Sequence, residues 1–300
     1  VTFDECTSAY IAAHRGSWKN AKHAAQWETT IATYVSPIMG ARPVADVDTD
    51  LVVKVLKPIW TTKTETATRL RGRIEAILDW ATTNKFRRDE NPARWRGHME
   101  NLLANPNKIA PVKNHPALPW REIGAFMVEF RKREGVSARA IEFAILTASR
   151  SGEVRGGRWS EIDLDAKLWT IPAERMKTGK EHRVPLSTSA VALLAAMERR
   201  GGFAFPGRDK QTLLSDMSLT AVLRRMERTD ITMHGFRSTF RDWCSEYGKN
   251  SFSREVGEHA RAHGLPDKVE AAYRRGDLLD KRVVLMQAWA DYCGDTQISS

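Results

Sequence analysis

Between Met233 and Trp243 the chain reads Met-His-Gly-Phe-Arg-Ser-Thr-Phe-Arg-Asp-Trp. At the helical repeat, His234, Arg237 and Arg241 share one face, while Phe236, Phe240 and Trp243 fall on another that suits a core. An imidazole and a guanidinium one turn apart suit a phosphate. The guanidinium forks onto non-bridging oxygens, and the imidazole adds a donor or carries a proton. A lone His-x-x-Arg is more often a solvated basic face, so other residues must supply the rest of a site.

Two further stretches carry charge in a usable form. In Thr147-Ala-Ser-Arg150-Ser-Gly-Glu153-Val154 a turn of small residues delivers Arg150 just before a new helical start. Glu153 either holds Arg150 by a charge-assisted bond or favours the helix N-terminus as an acidic residue, and both readings stand equally. In Met176-Lys-Thr-Gly-Lys180, Lys177 and Lys180 flank Gly179, which suits a hairpin turn. A lysine at a hairpin tip can reach into a groove, although a lone loop lysine is far more often exposed and idle.

The elements around these residues predict a mainly α fold with a small three-stranded antiparallel sheet. Expected strands are Arg158–Asp163, Leu168–Pro172 and Arg183–Leu186. Helices are expected over 120–133, 138–148 (buried), 187–200 and 213–228, with a last amphipathic helix carrying Leu278, Leu279, Val283, Leu285, Met286 and Trp289. Residues 1–105 read as a separate helical domain. Its stripes are Phe3, Cys6, Tyr10 and Ile11; Trp27, Ile31 and Tyr34 or Val35; and Leu70, Ile74, Ile77, Leu78 and Ala81. Between residues 69 and 96, the basic Arg69, Arg71, Arg73, Lys85, Arg87, Arg88, Arg94 and Arg96 outnumber Glu75, Asp79, Asp89 and Glu90. That balance suits a duplex-gripping face as well as it suits a solvated one. Pro106, Pro111, Pro116 and Pro119 mark a linker over 106–119, and residues 120–300 form the second domain. Two domains on an extended tether could clamp a duplex from opposite sides.

The formal net charge of +10 points to a polyanion, either nucleic acid or an anionic membrane surface. No apolar run approaches a membrane span, and the start carries no signal-peptide pattern. The cysteines Cys6, Cys244 and Cys293 form no Cys-x-x-Cys pair, which supports neither a disulfide framework nor a structural zinc and fits a reducing cytoplasm. The first residue is Val1 rather than Met, as expected of a chain lacking an upstream segment.

Taken in register, these stretches resemble the tyrosine recombinase (phage integrase) family. The matching phrases are Thr147-Ala-Ser-Arg150-Ser-Gly-Glu153, Arg158-Trp-Ser-Glu-Ile-Asp163, Met176-Lys177-Thr-Gly, His182-Arg-Val-Pro-Leu-Ser187 and His234-Gly-Phe-Arg237. A sixth, Val269-Glu-Ala-Ala-Tyr273-Arg-Arg, is similar to integrases of prophages, satellite phages and genomic islands. The catalytic likeness covers roughly residues 117–300. Residues 1–105 resemble the helical core-type DNA-binding domain, and nothing matches the small arm-binding domain that such integrases often carry upstream.

The resemblance implies a site-specific recombinase that integrates or excises a mobile element through a 3′-phosphotyrosine. Tyr273 would be the nucleophile, with Arg150 and Arg237 clamping the phosphate where charge develops. Lys177 would protonate the leaving 5′-oxygen, and His234 would position the phosphate and shuttle protons. His263 would be the second histidine. The family commonly has Gly-His there, whereas this chain reads Arg261-Ala-His263, and the ten-residue spacing to Tyr273 selects His263 over His259. Glu153 would support the first arginine. Neither a cofactor nor a metal is implied, because the covalent link conserves bond energy and cations of the protein do the work of metal ions.

The implied partners are double-stranded DNA attachment sites, sister protomers in a homotetramer on paired sites, and an accessory excisionase or DNA-bending protein, with no membrane. The implied place is the bacterial cytoplasm, at the nucleoid. Two alternatives share some of these residues, namely a type IB topoisomerase and a non-catalytic DNA-binding relic. Among the five tyrosines, Tyr10 and Tyr34 look like core, Tyr247 follows the His234–Trp243 helix too closely, and Tyr292 lies on the final helix's apolar face. That final helix is expected to pack on a neighbouring protomer, the alternative being its own domain.

Overall fold

A computed structural model describes residues 1–18, 21–111, 115–199, 201–209, 211–247, 252–262 and 276–295. The chain divides into two compact units, Val1–Lys113 and Asn114–Ser300.

The first unit is helical. It contains α1 (Phe3–His14), α2 (Ala21–Tyr34), α3 (Thr49–Trp60), α4 (Thr64–Thr83) and the single-turn α5 (Pro106–Ile109). Thr2 and Glu5 cap the start of α1 reciprocally, and Asp48 accepts from the Leu51 N–H at the start of α3. The expected stripes meet in one core: Phe3, Cys6 and Ile11, then Trp27, Ile31 and Val35, then Leu70, Ile74, Ile77, Leu78 and Ala81. Pro106 stands at the first position of α5, where its missing N–H costs nothing, so the expected linker begins as structure.

The row of basic residues splits in two. Arg73 is buried and donates to the Gln26 carbonyl and the Thr30 hydroxyl, with its guanidinium over the Trp27 ring. Arg87 is also buried, and Arg71 pairs with Glu75 at 2.7 Å while donating to the Ala93 carbonyl. Arg71 and Arg73 satisfy carbonyls and stack on Trp95 and Trp27, and Arg87 donates to the Val47 carbonyl, so these three leave the basic face whether it grips a duplex or is merely solvated. Arg69, Lys85, Arg88, Arg94 and Arg96 remain at the surface.

In the second unit, α6 (Ile123–Arg131), α8 (Ser151–Arg155), α9 (Thr188–Ala195), α10 (Asp216–Arg225) and α11 (Gly235–Glu246) surround α7 (Val136–Thr147). Almost every side chain of α7 from Ala138 onward is buried, including Glu142, whose carboxylate takes bonds from Arg131 and Arg139. The layer is completed by α12 (Arg254–Ala260) and α13 (Leu279–Gly294).

The three expected strands form an antiparallel sheet in sequence order: β1 (Ile162–Asp163), β2 (Leu168–Ile171) and β3 (His182–Pro185). Trp169 pairs with Val184 and Ile171 with His182; Trp169, Ile171 and Val184 are buried, and Trp169 packs on Phe143 of α7. The first strand is shorter than expected because Trp159–Glu161 coils as a 3₁₀ turn. Glu161 reaches back to the Arg158 N–H, a local bond that competes with strand pairing.

Candidate active site

The sharp end of α7 sets the site. Ala148 adopts a left-handed conformation (φ 50°) and ends the helix, and Arg150 follows as the residue that opens α8. The Glu153 carboxylate accepts from the Arg150 backbone N–H at 2.8 Å and from its Nη1 at 2.6 Å. Both sequence-level readings of Glu153 therefore hold at once: it caps the helix and fixes the guanidinium.

Arg237 comes from the first turn of α11. Its Nη1 donates to the Ala148 carbonyl at 2.5 Å, and its Nη2 to the Arg261 carbonyl at 2.6 Å, where α12 ends. Only 3% of the residue is exposed. Burial, followed by the repulsion of Arg150, lowers its pKa to about 10, so the guanidinium stays charged at neutral pH. Two guanidiniums thus crowd one corner, with Glu153 beside them as a counter-charge. Such a corner relieves its repulsion by taking an anion.

The expected shared face of His234, Arg237 and Arg241 does not form a single surface. Arg237 threads inward, whereas His234 and Arg241 are exposed and Arg241 pairs with Asp242 at 2.8 Å. His234 stands at the N-cap of α11 with its ring 4.5 Å from that of His115. Residues 115–118 lie close against this helix start. A Cβ on Gly235 would stand 2.1 Å from the Pro116 carbonyl, so only glycine fits there.

Lys177 lies exposed in the β2–β3 loop, where Gly179 at φ 68° donates to the Met176 carbonyl and makes the turn. Lys180 is exposed as well. The loop is held by Arg175, a residue outside the matched motifs. Arg175 Nη2 donates to the Glu153 carbonyl at 2.5 Å, and Nη1 pairs with Glu161. The available signal was its position two residues before Lys177.

Another buried group missed from sequence is Arg282 on α13. It donates to both the carbonyl and carboxylate of Asp277 and to the Arg183 carbonyl, while Arg183 forks onto the same carboxylate at 2.8 and 2.9 Å. His182, on β3, is pushed down to about 4 by burial first and by the charge of Arg282 second. His259 is lowered in the same direction, again chiefly by burial, and sits 4.0 Å from Glu255. His263 and Tyr273 lie outside the described residues.

The final helix corrects its sequence expectation. Leu285, Met286 and Trp289 are buried in the second unit's own core, and Trp289 Nε1 donates to the Ile145 carbonyl at 2.8 Å. Tyr292 is buried there too, among Trp120, Trp243 and Tyr247. Val283 and Val284 face outward. No helix among the described residues is long and apolar enough to cross a membrane.

Residues 3–98 match the phage integrase central domain family, and residues 120–265 match the phage integrase family. The chain is 31% identical over 282 residues to the integrase of Enterobacteria phage P4, covering 86% of this chain and 62% of that one. It is 31% identical over 294 residues to prophage integrase IntZ of Escherichia coli K12, covering 96% and 70% respectively. The chain thus spans about two thirds of these relatives' length. Among solved structures, a lambda integrase tetramer bound to a Holliday junction matches at TM-score 0.67 and 16% identity, covering 92% of this chain and 78% of that chain, a likeness of fold.

Proposed function

Because this chain belongs to the phage integrase family, we propose that it is the core-binding and catalytic portion of a site-specific DNA recombinase. Its substrate is a duplex attachment site. Tyr273 passes its phenolic proton to His234, the residue the resemblance gives as proton shuttle, and attacks the phosphorus, forming a 3′-phosphotyrosine as the bond to the 5′-oxygen breaks. That oxygen leaves with a proton from Lys177, and a second strand's 5′-hydroxyl later reverses the exchange. Arg150 and Arg237 supply fixed positive charge to the phosphorane, with His234 and His263 as further donors and Glu153 as the brace of Arg150.

One observation carries this reading. Two arginines from different helices are locked at one corner, Arg150 by Glu153 and Arg237 by the Ala148 carbonyl. A second guanidinium held beside this braced pair concentrates positive charge at the corner, which suits an incoming phosphate. The related lambda integrase assembles as a tetramer on a junction, and we extend that arrangement to this chain on paired sites in the bacterial cytoplasm. An accessory excisionase or DNA-bending protein belongs to the same proposal.

A supercoil-relaxation assay run beside a two-site recombination assay separates the readings. Recombination between two copies of the attachment sequence is expected. Relaxation without recombination would favour the topoisomerase reading, and binding without either activity would favour the relic.

A further inference from the structure

We propose that Arg175 is a positioning residue that presents Lys177 to the leaving 5′-oxygen. The inference rests on the assignment of Lys177 as the general acid. Lys177 itself is exposed on its loop. Its backbone, however, is fixed from the N-terminal side. Ala173–Arg175 winds into a 3₁₀ turn, and the Met176 N–H closes onto the Ala173 carbonyl at 3.1 Å. Met176 is buried, so the residue next to Lys177 is set in the core. Arg175 then points back beneath the loop.

The two partners of Arg175 explain why its position matters. One is the carbonyl of Glu153, the residue whose carboxylate fixes Arg150. The other is the Glu161 carboxylate, which also accepts from Trp169 Nε1 at 3.1 Å and from the Arg158 N–H at 3.2 Å. Trp169 is on β2, so Glu161 joins the strand before the loop to the turn before β1. A single planar fork thus references the Lys177 loop to the helix that carries Arg150. Space has been left for it. A Cβ on Gly156 would come within 3.0 Å of Arg175 Nη2. Lysine at 175 would carry the charge, but its one ammonium on a flexible stem lacks the planar fork that meets both acceptors.

The test uses a nicked suicide duplex carrying the direct repeat that flanks the gene, made with either oxygen or sulfur at the 5′-bridging position. Sulfur is a leaving group that needs little protonation. Arg175→Ala, Arg175→Lys, Glu161→Gln and Lys177→Ala are compared with the parent chain on both substrates. Lys177→Ala is expected to slow oxygen-substrate cleavage by ~100-fold or more, and Arg175→Ala by ~10-fold or more, both returning to within ~3-fold of the parent on sulfur. Arg175→Lys and Glu161→Gln should show smaller deficits with the same rescue. These two carry the readout if Arg175→Ala does not fold. If Lys177→Ala is rescued but the Arg175 and Glu161 variants are slow on both substrates, or normal on both, Arg175 does not act through Lys177 and the inference falls alone. If Lys177→Ala is not rescued, the general-acid assignment fails and takes the inference with it.

Discussion

Arg237 donates to the Ala148 carbonyl at 2.5 Å, two residues before Arg150 in the chain. The second arginine of the pair therefore holds the turn that presents the first. Because Ala148 is left-handed, the chain reverses sharply there, and its carbonyl has no helical partner to satisfy it. Arg237 fills that role while adding charge. Structure and electrostatics are joined in one side chain.

Substituting Arg237 by lysine keeps the charge and removes the fork. Cleavage of a suicide substrate is expected to fall by ~100-fold or more, since one preorganised donor at a developing charge is worth about that much. Stability should fall by about 1–3 kcal/mol as the buried Ala148 and Arg261 carbonyls lose a partner. Urea unfolding and single-turnover cleavage check the two halves. Cleavage close to the parent rate would mean that Arg237 is only structural.

The Asp277 knot yields a contrast. Arg282 is 1% exposed and serves two acceptors on Asp277 and one on Arg183. Arg282→Met should cost about 1–3 kcal/mol, because the Asp277 and Arg183 carbonyls lose their buried donor while the Asp277 carboxylate keeps Arg183. Arg183 meets the same carboxylate but is 41% exposed, so Arg183→Ala should cost under ~1 kcal/mol. Equal losses in urea unfolding would contradict the burial argument.

Much of this was legible in the residues, for physical reasons that differ from place to place. The stripe from Leu70 to Ala81 and the buried run of α7 follow from periodicity, which tertiary packing does not overturn. The Arg150–Glu153 bond spans three residues, so local spacing reveals it. Arg175 and Arg282 are not legible, since the partners of Arg175 lie 14 and 22 residues away, Arg282 is tied to Asp277 five residues back but also to the Arg183 carbonyl 99 residues away, and a basic residue near other basic residues looks solvated. For the same reason Arg73 and Arg87 look like surface charge in the sequence, although each is buried in the helical bundle. The strand expected over 158–161 gives way to a 3₁₀ turn at 159–161, where Glu161 makes a local bond that hydrophobic alternation does not encode.

Acid should destabilise the second unit in a defined interval. In the unfolded chain His182 titrates near its ordinary 6.5, whereas in the folded chain it resists protonation until about 4. The unfolded chain thus binds more protons between those values. The stability from neutral His182 is fully present above 6.5 and is lost as pH falls toward 4. His259 shifts the same way, by burial. The slope from one such group approaches ~1.4 kcal/mol per pH unit. Unfolding measured across this range should be less steep for His182→Gln; an unchanged slope would remove His182 as the source.

Trp289 tests where α13 belongs. Trp289→Ala should cost about 3–5 kcal/mol at any protein concentration, as for other large buried aromatics. A loss that grows with dilution would instead place the helix against a neighbouring protomer.

The central claim is that Tyr273 attacks, and one measurement addresses it most directly. The chain is incubated with a nicked suicide duplex, and the covalent adduct is digested and its phosphopeptide sequenced. Tyr10, Tyr34, Tyr247 and Tyr292 are the competing phenols, and burial raises the pKa of Tyr10 and Tyr292 further from attack. The expected adduct maps to Tyr273, and Tyr273→Phe binds the duplex as the parent does while forming none. An adduct on any other tyrosine, or one that persists in Tyr273→Phe, would contradict the account.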